Sequence, residues 1–393
     1  VAEVALAVVL AVAAGLVLRS FARVSAVAPG FDPTQVTAAD FDLSGPAYSS
    51  AAAQNQFTRQ VLDRLAATPQ VQAAGVVSVL PLDPDHYDTR AYFTQDPPIT
   101  TAAAVGAANA VYDTYFVSPG YFAAMGIPLR RGRRFTEDDM QHPTAAIIVD
   151  DALAAKLWPG RNPIGQAMAL AGTTSGINQQ WASVVGVVAN VHQYSLDRAA
   201  TPEVYVPYTL NPGAASTLVV RTAASAAAVR AGIEQAVWGV DGEIPIANLR
   251  LLSELVSGSV AQRRLTLELI GLFGALALGL AALGIYGVVA YTTAQRTSEI
   301  GMRMALGASR GEIVGLVIGG GLRPAGLGLV VGALVALAAG RALQQLTFGI
   351  SPSDPATLGV VLAVLALVAA AACAIPAWRA SRLDPAACLR EGS

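Results

Sequence analysis

The chain has 393 residues, a formal net charge of −2 and two cysteines. Hydrophobic residues make up 54% and charged residues only 13%, about half the charged share of soluble proteins; with a mean hydropathy of +0.50, this excludes an ordinary soluble chain and points to an integral membrane protein. The near-neutral charge gives no case for nucleic-acid binding, and Cys373 in an apolar run and Cys388 in a polar tail do not form a disulfide framework.

The chain starts at Val1 rather than Met, and an apolar run begins at once. Residues 1–18 are expected to be a first membrane span whose start is clipped, since the uncharged run from Val4 to Leu18 is shorter than the ~20 residues a span needs. The chain is accordingly expected to be a fragment of something longer. From 19 to 262 the composition turns to Pro, Gly, Asp, Asn and aromatic residues, and no window there could cross a bilayer.

This region reads as a soluble α+β domain. Strands are expected at 35–43, 71–80, 201–207, 217–221 and 244–252, with helices at 49–67 and 224–237. That order suggests a split β-α-β sandwich interrupted by an insert at about 83–190. In the insert, 145–149 and 181–188 read as strands and 151–158 as a helix. Arg130, Arg131, Arg133 and Arg134 precede Glu137, Asp138 and Asp139, so pairing within the segment is expected.

Residues 265–291 read as the second span, 324–340 as the third and 358–376 as the fourth. Gly271, Ala275 and Gly279 recur every four residues, as do Gly328, Gly332, Ala336 and Gly340; such small-residue faces allow close helix packing. Asp354–Pro355 is a helix start, with Asp as cap and Pro at the first helical position. The 292–323 loop carries Arg296, Arg303, Arg310 and Arg323, and the 377–393 tail carries Arg379, Arg382 and Arg390, whereas the 341–357 loop has only Arg341. The positive-inside rule makes the first two cytoplasmic and the third external, which puts the soluble region outside.

The sequence has no G-x-x-x-x-G-K-[ST] phosphate loop, no H-E-x-x-H or C-x-x-C spacing and no G-x-S-x-G elbow, so no hydrolase or metal chemistry is expected and no cofactor is implied. His86, His142 and His192 are far apart and read as surface or turn residues. Asp83, Asp85, His86 and Asp88 sit beside Pro81 and Pro84 and read as a solvated loop rather than a metal site.

The segment 296–310, R-T-S-E-I-G-M-R-M-A-L-G-A-S-R, is amphipathic at helical spacing. It is either a short interfacial helix that docks on a partner or a solvated loop along the membrane. It does not stand alone. Y-F-V-S-P-G-Y-F-A-A-M-G-I-P-L at 115–129, R-G-R-R-F at 131–135, W-P-G-R-N-P-I-G at 158–165, V-V-G-V-V at 184–188, P-E-V-Y-V-P-Y at 202–208, F-G-I-S-P-S-D-P at 348–355 and I-P-A-W-R-A-S-R-L-D-P-A-A-C-L-R at 375–390 occur in an order that resembles the FtsX-like and MacB-like permeases of type VII ABC systems. Among these the chain looks most similar to the C-terminal half of duplicated permeases of acidobacterial type.

The resemblance implies an α+β membrane protein with four transmembrane helices and a MacB-like periplasmic core domain between the first two. It places the protein in the bacterial inner membrane, as a non-enzymatic permease subunit. A separate cytoplasmic ATPase would drive it, alongside a second permease half or a second copy. The positions matching the family's ATPase-coupling segment are Glu299, Ile300, Arg303, Ala305, Leu306, Gly307, Ala308 and Ser309. The alternative is a non-transporting scaffold or signalling protein that regulates an envelope partner.

Overall fold

A computed structural model describes residues 1–83, 89–94, 110–170, 180–214, 217–306, 308–339 and 354–382. Asp85, His86, Asp88, Gly307, Gly340, Arg341, Cys388 and Arg390 lie outside the described residues, as does nearly all of the 341–357 loop. The chain divides into two compact units, Val1–Ala26 with Ala261–Ser393, and Val27–Val260.

In chain order the helices of eight or more residues and the strands begin with α1 (Ala2–Ser25), β1 (Val36–Phe41), α2 (Ala51–Ala66), β2 (Val71–Val77), β3 (Thr89–Thr94) and β4 (Ala110–Val117). After a short helical turn at Tyr121–Met125 come β5 (Leu129–Gly132), β6 (Ala146–Asp150), β7 (Ala167–Leu170), β8 (Gln180–Val188), β9 (Glu203–Pro207), β10 (Thr217–Thr222), α3 (Ala226–Trp238) and β11 (Ile246–Leu251). The chain then continues as α4 (Leu252–Gln295), α5 (Thr297–Ala305), α6 (Arg310–Ala339) and α7 (Pro355–Ala380).

The 27–260 unit contains the expected split β-α-β layer. Strands run antiparallel in the order β11-β1-β10-β2. Helices α2 and α3 form the two crossovers. Each starts at a serine cap: Ser50 accepts from the Ala53 amide at 3.2 Å and Ser225 from the Ala228 amide at 3.4 Å. Phe57, Val61 and Leu65 of α2, and Val229, Ile233 and Val237 of α3, are buried, the 3.6-residue apolar stripe that an amphipathic helix turns to its core.

The second layer is a closed ring. Strand β4 pairs with β3, β3 with β7, β7 with β8, β8 with β6, β6 with β9, and β9 returns in parallel to β4. Closure leaves no free edge among these strands. The insert expected at 83–190 is therefore larger than its sequence boundaries, because β9 belongs to the ring and not to the split β-α-β layer. Neighbours in the sequence suggested the wrong sheet; the parallel register Asp113↔Glu203 to Val117↔Pro207 joins strands far apart in the chain. Short strands β5 and β7 have too few residues for an alternation to show.

The layers join at β2 and β4 through one strand pair, Val77↔Val117. Two serines extend this junction. Ser118 Oγ accepts from the Val76 amide at 2.9 Å and Ser78 Oγ from the Phe116 amide at 3.1 Å. Gly75 is required here, because a Cβ would stand 2.5 Å from the Tyr121 nitrogen and 2.9 Å from Ser118 Oγ. Gly75→Ala is expected to lower stability by ~2 kcal/mol, as overpacking against backbone does, seen as a lower urea midpoint at unchanged slope.

In the other unit, four helices are long and apolar enough to cross a membrane, among the described residues. Each extends beyond its sequence boundary. Helix α1 passes Arg19 and Arg23 to reach Ser25, so its charged end does not stop it at 18. Helix α4 begins at Leu252 and not at 265. Helix α6 begins at Arg310, so residues 310–323 are helix and not connecting segment, and Pro324 lies inside it. Helix α7 starts at the expected Asp354 cap, whose carboxylate accepts from the Thr357 amide at 2.8 Å, and continues through Pro376 to Ala380. Proline removes one backbone donor but is tolerated in apolar helices supported by neighbours.

Helices α1, α6 and α7 pack together. Val8, Val12 and Leu16 of α1 meet Ala281, Ala336 and Leu365 in one apolar cluster. Arg19 pairs with Asp354, which sets the end of α1 beside the start of α7.

Candidate functional site

The coupling candidate is the α5 helix and the turn after it. The helix is short and would be marginal alone; Ile300 anchors it. That side chain is 1% exposed and lies in a cluster with Val289 of α4, Ile313 and Val317 of α6, and Cys373 and Ala377 of α7. Glu299 and Arg303 face away as an i,i+4 ion pair of 2.7 Å, both half-exposed. Met302 and Leu306, one turn apart, are 54% and 84% exposed. The next helix opens on a reciprocal cap: the Ser309 amide donates to Glu312 Oε2 at 2.9 Å, and the Glu312 amide donates to Ser309 Oγ at 3.3 Å.

The eight sequence-picked positions thus separate. Ile300 and the half-buried Ala308 face inward. Glu299, Arg303 and Leu306 face outward, and Ser309 shapes the turn. Gly307 and the Ala305 side chain lie outside what is described. The result is an apolar knob, Met302 and Leu306, beside the exposed cations Arg303 and Arg310, held on a helix wedged against three others.

The helix-packing positions separate as well. A Cβ on Gly328 would lie 2.8 Å from Val4 Cβ, and one on Gly332 would lie 2.6 Å from Val8 Cβ. Ala336 is buried, so α6 presents this face to α1. Among the described residues, Gly271 and Gly279 have nothing within 4 Å and Ala275 is exposed, so that face packs on no described helix. On α4 the close approaches are at Gly274, 3.5 Å from Ala14 Cβ, and at Gly284 beside the Glu3 carboxylate. Both repeats have the same spacing, and spacing does not say which face turns inward.

A second polar group lies in the ring and was not legible in the sequence. Glu203 is fully buried. It accepts from Tyr205 Oη and, at 3.1 Å, from Gln193 Nε2. The Glu203 amide donates to Asp150 Oδ1 at 3.1 Å, and Asp150 also caps the next helical turn through the Leu153 amide at 2.8 Å. Burial pushes the Asp150 carboxyl up to about 6 and the Glu203 carboxyl well above its usual range; the Asp151 charge adds to the first, and the Asp150 and Asp113 charges add to the second. Arg133 instead holds Asp139 low, through two bonds of 2.6 and 3.0 Å and a Thr136 capping box, which is the pairing expected for the basic turn. Asp83, the described member of the acidic loop, pairs with Arg250 at 2.5 Å. No group of three metal-ligating side chains occurs among the described residues.

Four membrane-length helices and a large α+β unit define a multipass membrane protein with a folded outer domain. Residues 4–236 match the MacB-like periplasmic core domain and residues 271–385 match the FtsX-like permease C-terminal family. The chain belongs to this family of MacB-like and FtsX-like permeases: an inner-membrane protein whose 27–260 unit is extracytoplasmic.

Among its relatives, the macrolide export ATP-binding/permease protein MacB of Sodalis glossinidius is 30% identical over 74% of this chain and 45% of its own length. The uncharacterized ABC transporter permease YknZ of Bacillus subtilis is 26% identical over 70% of this chain and 68% of its own. The crystallised periplasmic region of MacB from Actinobacillus actinomycetemcomitans aligns at 15% identity and a TM-score of 0.37, over 59% of this chain and 94% of that one. The chain spans about half the length of the curated MacB relatives it matches.

Proposed function

We propose that this chain is the permease part of an ABC-type export or envelope system, moved by an ATPase on the cytoplasmic side. The observation that carries this is the α5 wedge. Ile300 fastens it to α4, α6 and α7, while the knob at Met302 and Leu306 stays exposed. A push on the knob would be delivered to three membrane-length helices at once, because a packed apolar contact transmits displacement rather than absorbing it. The Glu299–Arg303 pair orients the helix rather than stabilising it, since an exposed i,i+4 pair is worth only ~0.3–0.5 kcal/mol. This function carries two partners with it: a cytoplasmic ATPase, in keeping with the ATP-binding part in the names of the macrolide-export relatives, and a second permease half or second copy of the chain.

The test is capture of ATP-binding subunits by the tagged full chain co-expressed with candidate ATPases. Leu306→Glu and Arg303→Glu are each expected to reduce capture about fivefold, roughly 1 kcal/mol, without changing the thermal midpoint. Capture that is unaltered by both variants would rule out α5 as the coupling element. A chain that captures no ATPase under any condition would favour the scaffold function.

A further inference from the structure

The outer unit contains a cavity of about 410 Å³ lined by Tyr112, Asp113, Lys156, Gln193, Ser195 and Arg198, among others. That volume is within the range of small-molecule sites. Both signs of charge line it, and they do not neutralise one another. Asp113, 8% exposed, accepts from Thr201 Oγ1 at 2.8 Å. Lys156, the only lysine of the chain, holds its ammonium 5.1 Å from the Tyr112 ring centroid. Among the described residues, neither Lys156 nor Arg198 makes an ion pair.

Polar atoms in the same wall also lack partners. Gln193 is 5% exposed, and its Nε2 is bound to Glu203. Its Oε1 has no hydrogen-bond partner among the described residues, and the same holds for Ser195 Oγ and His192 Nδ1. An unsatisfied buried acceptor is costly, so such a set marks this wall as unlike an ordinary packed surface. The cavity therefore offers one carboxylate, Asp113, together with two cations, Lys156 and Arg198, that make no ion pair among the described residues.

We propose that this cavity binds a small zwitterion of the amino-acid or short-peptide class, its ammonium taken by Asp113 and its carboxylate by Lys156 and Arg198. An anion alone would leave Asp113 unmet, and a cation alone would leave Lys156 and Arg198 unmet. A neutral polyol would forgo the charge-assisted bonds, which are about twice as strong as neutral ones. The site does not depend on an ATPase partner, so loss of either conclusion leaves the other standing.

The single lysine makes the test direct. The full chain in lipid nanodiscs is treated with an acylating ester, and acylation of Lys156 is followed by peptide mass spectrometry. The probes are trialanine, its N-acetylated form and its C-terminal amide. Free trialanine is expected to slow acylation at least about tenfold at saturation, and each capped form is expected to need at least about tenfold more ligand. Asp113→Asn and Arg198→Gln should each weaken protection by free trialanine at least about tenfold; Arg198 is exposed, so its variant keeps the fold. No protection up to about 10 mM, a limit of roughly 3 kcal/mol, would overturn the proposal. Equal protection by all three peptides would overturn it too, since the charges would then not be read.

Discussion

Gly332→Leu is expected to prevent the helical unit from assembling. A Cβ at this position would sit 2.6 Å from Val8 Cβ, 2.8 Å from the Ala5 carbonyl oxygen and 2.9 Å from Ala5 Cα. Two of those three neighbours are backbone, so no rotamer change relieves the clash and α1 must move as a body. Between helices in lipid there is no hydrophobic gain to offset the lost contact, because association rests on close van der Waals fit. The displaced contacts include Val8 and Val12, both buried, in the cluster with Ala336 and Leu365. Overpacking normally costs ~1–3 kcal/mol; a leucine against backbone belongs above that range, at roughly 4 kcal/mol, which approaches the whole stability of a protein at the low end of about 5 kcal/mol. Gly279→Leu is the control, since nothing among the described residues lies within 4 Å of a Cβ at Gly279, and it should leave stability within about 0.5 kcal/mol. Both are read as midpoints of unfolding in mixed detergent micelles. Equal midpoints for the two variants would mean that α6 and α1 do not pack as described.

The contrast between those glycines marks where the sequence stops being informative. A four-residue spacing of small residues is visible at 271–279 and at 328–340, but a repeat records what a helix could pack, not what faces it. Prolines misled in the same way. Pro324 and Pro376 sit at sequence boundaries of spans and in the interior of α6 and α7, because neighbouring helices support a proline that an isolated helix would not tolerate. Local signals did better. The Asp354–Pro355 start and the basic turn closed by Asp139 depend only on residues a few positions apart. The ring did not, since β4 and β9 meet across a long stretch of chain. Glu203 was invisible for a related reason: in P-E-V-Y-V-P-Y it alternates with valines as a solvent-facing residue would, yet every residue of β9 is buried, as happens when both faces of a strand are covered.

That burial gives the outer unit an unusual response to pH. Asp150 and Glu203 both have raised folded-state pKa values, so the folded protein holds protons that the unfolded chain releases, and stability falls as pH rises. For Asp150 the contribution is complete below the ordinary carboxyl value of 3.8 and is lost by about 6, a change of about 3 kcal/mol at 1.36 kcal/mol per pH unit. Glu203 acts in the same direction from 4.5 upward. The paired carboxylates work the other way: Asp139 and Asp32 are held low by hydrogen bonds and by Arg133 and Arg221, so what they contribute is lost only as pH drops below 3.8. Between about pH 4 and pH 6 the slope therefore belongs to the ring acids. Urea unfolding of the full chain, followed by Trp158, Trp181 and Trp238 of the outer unit, should show a midpoint that declines across this window. Asp150→Asn with Glu203→Gln should flatten the decline and raise the midpoint at pH 7. At pH 4, below the range in which Glu203 titrates, Glu203→Ala should lower stability by ~2 kcal/mol, because Tyr205 Oη and Gln193 Nε2 then lose their buried acceptor, and an orphaned donor carries its full desolvation cost. A decline that persists in the double amide variant would place the titrating groups elsewhere. A flat wild-type profile would mean that Asp150 and Glu203 are ionised in the folded ring, which their burial beside one another opposes.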